Sequence, residues 1–193
     1  MYIWTLGYKD GAYTATAQPD LADLLSYHGF SIRITGKSGI RFKTGISVDM
    51  RSRLTGEGVN GFKLKEYGGL IMNDAVREQY PFIRGGEKVQ SGVAYGTNPD
   101  GTRKDIIFET VDGRHRFTSV FVGLPARVYK TNYAFCSYIV LEKNGVETTI
   151  YGPVLTRSIY NLAEQLLASG NYAAGSAVDS FLRQLIADGD IHT

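Results

Sequence analysis

Apolar and polar side chains alternate along most of the first 152 residues and then change period. Residues 2–6 and 12–16 are β-branched and aromatic runs separated by Asp10-Gly11, which predicts two strands and a tight turn. Leu21, Leu24, Leu25 and His28 fall at i, i+3, i+4 and i+7 ahead of Gly29, which predicts a short helix. Residues 31–35 and 40–43 alternate strictly around Gly36-Lys37-Ser38-Gly39, a hairpin pattern. That alternation sends Ile32, Ile34, Ile40 and Phe42 to one face and Arg33, Arg41 and Lys43 to the other. Residues 47–54 suit one or two helical turns, residues 62–67 alternate again, and 70–72 read as a buried continuation.

Between residues 73 and 103 the pattern weakens, with a possible helical turn at 75–80, a strand at 89–95 and several Gly and Pro breaks. A long excursion of this kind inside a compact chain is often functional. Two further hairpins follow. Residues 105–111 and 114–122 flank Asp112-Gly113, and residues 133–141 and 146–151 flank Asn144-Gly145. Both dipeptides accept the positive φ angles of the turns that match strand twist. Beyond residue 156 the spacing becomes helical. Ile159, Leu162, Ala163, Leu166 and Leu167 form one stripe with Gly170 as its stop. Val178, Phe181, Leu182, Leu185 and Ile186 form a second, with Ser176 as N-cap and Gly189 as its stop. Strands first and helices last predict a mainly β, α+β fold: an antiparallel β-sandwich-like core with short helical insertions and two C-terminal amphipathic helices. The expected organisation is a single module over 1–193, β-rich to 152, with the helical pair at about 156–188 packed on it or appended.

Composition narrows the chemistry. One Cys and three His among 193 residues leave no internal disulfide, Cys-rich zinc site or His cluster, so no metal or cofactor is indicated. A formal charge of +2 does not signal nucleic-acid binding, and no run approaches a membrane-spanning length. The first 11 residues lack a signal-peptide pattern. This leaves a cytoplasmic chain or a module of a longer secreted protein, and Met1 directly ahead of a strand favours the second.

Charge is uneven along the chain: eight Lys or Arg against two acids in residues 31–65, and four acids against Arg183 beyond residue 161. A basic β face built on Arg33, Arg41 and Lys43 can bind an acidic polymer, stay solvated, or pair with an acidic surface. Thirteen Tyr and one Trp supply rings with polar tips. Trp4, Tyr8, Tyr67, Tyr95 and Tyr129 stand near turns or strand ends, where exposure would let them stack on sugars. Gly56-Glu57-Gly58-Val59-Asn60-Gly61 matches a dinucleotide fingerprint, but the strand follows it rather than precedes it, so a loop is expected. Cys136, between apolar neighbours, reads as a buried thiol, and His115 as part of a hairpin tip. Nothing in the spacing joins Glu66 and Glu109 as a glycosidase pair.

Residues 31–44, with 66–72, 117–124, 138–141 and Arg157-Ser158-Ile159-Tyr160 following in order, resemble a β-rich module of large secreted and cell-surface proteins of Clostridia and related gut Firmicutes. The likeness runs from about residue 30 to 168 and departs at Gly69, where Thr is common. It implies an extracellular setting and a supporting or binding role, and it transfers no catalytic residue. The expected function is a non-catalytic binding or adhesion module of a bacterial surface protein, with a glycan or neighbouring modules of the same chain as partners. The alternative is a structural spacer or assembly module, including one in a virion, and a glycan-active enzyme is third.

Overall fold

The structure, a computed structural model, describes residues 24–34, 36–98 and 100–192, together with the strand backbone of residues 3–9 and 12–18. Strands β1 (Ile3–Lys9) and β2 (Ala12–Gln18) pair antiparallel, with β1 running on through the expected stop at Gly7. The Asp10-Gly11 turn and the start of the predicted 21–28 helix lie outside the described residues.

From residue 25 the chain is strand, not helix. β3 (Leu25–Arg33) includes His28, so the helical spacing of Leu24, Leu25 and His28 was coincidental. β3 pairs with β4 (Gly39–Ser47) through the predicted 36–39 link, and Ser47 caps the short helix α1 (Val48–Thr55) by accepting the Met50 N–H. The glycine-rich stretch after α1 is a turn: Asn60 and Gly61 take positive φ angles between the bridged Val59 and Phe62. β5 (Lys63–Asn73) then crosses the molecule. Of the expected 75–80 helix only a 3-10 turn at Asp74–Val76 forms. β6 (Gln90–Thr97), β7 (Arg103–Asp105), β8 (Glu109–Val111) and β9 (Arg114–Val122) follow. The single strand expected at 105–111 is therefore divided: β7 pairs with β6, β8 with β9, and Ile106 to Phe108 pass from one sheet to the other. β10 (Tyr133–Lys143), β11 (Val146–Tyr151) and β12 (Leu155–Arg157) complete the sheets, with Asp112-Gly113 and Asn144-Gly145 at positive φ in the two predicted hairpin turns.

The strands form a six-stranded sheet, ordered β11-β10-β5-β6-β7 with β12 also on β10, and a four-stranded sheet ordered β3-β4-β9-β8. All pairings are antiparallel. The sheets face each other as expected of a sandwich. Ile46, Phe117, Tyr67, Ile139 and Leu141 fill one part of the interior. Ile40, Phe42, Ile71 and Phe135 fill another, where Tyr27, Phe30, Phe42 and Phe135 pack ring on ring. β10 is buried on both faces. Its outer residues Cys136, Tyr138 and Val140 lie under Phe82 and Val89 of the 77–89 segment.

Helices α2 (Ile159–Ala168) and α3 (Ala177–Ile191) continue the Phe42 part of the core through Ile159, Leu162, Ala163, Leu182 and Leu185. Ser158 and Ser176 cap them, as the spacing predicts for Ser176. Gly189 does not end α3. It sits inside the helix facing α2, where a Cβ would come 2.9 Å from the Tyr160 ring.

Candidate functional site

The outer face of the four-stranded sheet holds the clearest concentration of unsatisfied chemistry. Alternation along β4 turns Ile40, Phe42, Thr44 and Ile46 inward, so Arg41 and Lys43 point out. Register then fixes their neighbours: Ser31 of β3 and Val120 of β9 lie opposite Arg41, and Thr118 lies opposite Lys43. Arg33 follows two residues after Ser31 on the same face. These side chains, with Phe108, line an open depression of about 400 Å³. Arg33 and Arg41 make no ion pair among the described residues. Lys43 reaches Glu109 Oε1 at 3.5 Å and stands 5.2 Å from the centre of the Phe108 ring. Phe108 is 56% exposed and follows the exposed Ile106 and Ile107 on the same connection.

The face continues beyond the depression. Arg116 lies opposite Gly45 and donates from Nη1 to Glu109 Oε1 at 3.0 Å, while its buried Nε–H has no partner among the described residues. Arg116 and Lys43 hold the Glu109 carboxyl below its usual range. His28 reaches the same area. Its Nε2 lies 2.7 Å from Ser26 Oγ, and burial followed by the nearby Arg116, Arg114 and Lys43 pushes its pKa down.

The basic face read from the sequence, Arg33, Arg41 and Lys43, is thus brought together in space. The aromatic candidates are not. Tyr67, Tyr95 and Tyr129 are 0%, 3% and 7% exposed, so the expectation that they offer faces to a sugar is corrected. Each ring packs inside while its polar tip finds a protein partner. The Tyr67 hydroxyl accepts from Arg51 Nε at 3.2 Å, that of Tyr95 accepts from Arg103, and that of Tyr129 is 3.4 Å from Ser38 Oγ. Tyr67 and Tyr95 also stack on each other, 5.1 Å between centroids. The side chains of Trp4 and Tyr8 lie outside the described residues.

Phe108, His28 and Arg116 were not among the sequence candidates. Hairpin register around Asp112-Gly113 carries the signal for Arg116, which shares its parity with Thr118 and so with Lys43. His28 was hidden by the helical spacing around it.

Other chemistry is muted. Cys136 is buried, its Sγ lies 3.2 Å from Gly152 O, and burial pushes the thiol pKa up to about 11. His115 Nδ1 is bound to Thr110 Oγ1 at 2.8 Å, and its pKa is lowered by burial and then by Arg51. Glu66 sits on the outer face of the other sheet, away from Glu109. There it accepts from Tyr138 at 2.7 Å and from Arg84 at 2.9 and 3.1 Å, pinning the 77–89 segment over β10. A gap of about 80 Å³ near Gly69, Gly92 and Ser119 is too small for a sugar ring. Among the described residues no group of acidic, His or Cys side chains could hold a metal, and no helix is long and apolar enough to cross a membrane. Comparison of the chain with protein-family models, curated proteins and solved structures finds no match.

Proposed function

We propose that this chain is a non-catalytic binding module of a bacterial surface protein, and that it holds an acidic glycan on the outer face of the four-stranded sheet. The observation that carries the reading is the convergence of Arg33, Arg41 and Lys43 on one depression, in which neither arginine has an ion-pair partner among the described residues. Guanidinium groups bind carboxylates and phosphates through paired N–H donors. Ser31 and Thr118 offer hydroxyls for sugar hydroxyls, and the exposed Phe108 ring offers a face for sugar C–H groups. The extracellular setting rests on the resemblance of residues 31–44 and the segments that follow them. Burial of Tyr67, Tyr95 and Tyr129 moves the contact surface from an aromatic platform to this basic face.

A panel of neutral and uronate-containing oligosaccharides, followed by titration calorimetry, tests the reading. Acidic members should bind and neutral ones should not, and affinity should fall with added salt. Replacing both arginines, Arg33→Ala with Arg41→Ala, should weaken binding by about tenfold or more, in line with loss of charge-assisted hydrogen bonds. Equal binding of neutral sugars, or an unaffected double variant, would reject it.

A further inference from the structure

His28 owes its position to an irregularity in β3. Tyr27 pairs with Thr44 and Phe30 with Phe42, so two residues, His28 and Gly29, oppose the single Lys43. Gly29 takes the positive φ of 96° that this extra residue requires. The bulge keeps Tyr27 and Phe30 on the core side and leaves His28 on the basic face. Gly45 then makes room for it. A Cβ on residue 45 would lie 2.5 Å from His28 Nε2 and 2.8 Å from Ser26 Oγ. Three local features therefore seat one imidazole beside the register position of Arg116, and bulges commonly re-aim a side chain at a working site.

The seat has open hydrogen-bonding capacity. Ser26 occupies His28 Nε2, and Nδ1 makes no hydrogen bond among the described residues. Arg116 keeps a partly exposed guanidinium beside it, bound through Nη1 to Glu109. Titratable and charged groups around the imidazole are Lys43 from β4, Glu109 from β8, and Arg114 and Arg116 from β9. Among the described residues the groups facing the imidazole are more cationic than anionic, which favours an anion there. Arg41 and Gly45 are four residues apart on β4, so the two regions are separated by roughly 14 Å at about 3.4 Å per residue.

Resting on the reading of Arg33 and Arg41 as a glycan site, we propose that the basic face is a two-site track. A linear acidic polysaccharide lies along β4, with one anionic group at Arg33–Arg41 and a second at His28–Arg116. A bound anion favours the imidazolium, so proton uptake at His28 strengthens the second site. Binding of long chains tightens as pH falls through the His28 titration, below its ordinary range near 6.5. Carboxylates and phosphodiesters share this chemistry.

Calorimetry with oligogalacturonates of three and of twelve units, at pH 5.5 and 7.5, tests the track, with glycerol-phosphate oligomers of matched charge as the second arm. The twelve-unit chain should bind about tenfold more tightly than the trimer at pH 5.5, as a linked second contact allows. That advantage should shrink severalfold at pH 7.5. His28→Gln, which keeps a hydrogen bond available to Ser26, should abolish the pH dependence of that length advantage. The arm that binds identifies the anionic group. A length advantage equal at both pH values and in His28→Gln overturns the second site and leaves the first standing. Failure of every acidic oligomer to bind the unaltered protein overturns both. Thermal melts of each variant show that it is folded.

Discussion

A Cβ on Gly69 would lie 2.6 Å from Ser119 Cβ and closer still to its hydroxyl, so the two sheets approach here only because residue 69 has no side chain. Gly69→Ala should therefore destabilise the protein by about 1–3 kcal/mol, the usual cost of overpacking. Adding Ser119→Gly should recover part of that loss, because it removes the obstructing Cβ and a buried hydroxyl without a partner. Urea unfolding of the two single variants and the pair measures the coupling. Equal losses in Gly69→Ala with and without the second change would show that the contact is not the cause. The same scale explains the tyrosines: Tyr67, Tyr95 and Tyr129 bury their rings while each hydroxyl keeps a protein hydrogen-bond partner.

Elements are placed by caps and by register. Ser158 is fully buried and accepts the Asn161 N–H at 3.0 Å, closing the first turn of α2 against Ile159 and Leu162. Ser158→Ala should cost about 0.5–2 kcal/mol, the usual range for loss of an N-cap. A midpoint in urea unchanged by the substitution would contradict this role. The sequence makes elements legible where one face is buried and the other solvated, as in β3–β4 at residues 31–43 and in the two capped helices. It fails where tertiary contacts override the local pattern. Leu24, Leu25 and His28 mimic a helix because a bulge at Gly29 disturbs the strand period. Residues 105–111 look like one strand because no side chain marks the step between sheets. Gly189 looks like a helix end, yet packing against Tyr160 carries α3 past it.

At the scale of the whole molecule, the sandwich sorts charge between surfaces that the linear sequence only hints at. Arg33, Arg41 and Lys43 could be placed on one face from alternation alone. Their continuation through Arg116 and His28 needed the pairing of β4 with β9 and of β3 with β4, which are contacts between distant segments. Within the 73–103 stretch, residues 77–89 cover the outer side of β10, held by Arg84 on Glu66 and by Phe82 and Val89 over the apolar residues beneath. That covering leaves the opposite sheet as the one with an open, basic, partly apolar surface.

Amide chemical-shift mapping during titration of the ¹⁵N-labelled protein with an oligogalacturonate tests this account most directly. Shifts concentrated at residues 31–33, 41–43, 108 and 118–120, and abolished by raised salt, are the predicted result. Shifts clustered on the six-stranded sheet or around Trp4 and Tyr8, with none on the basic face, would contradict it.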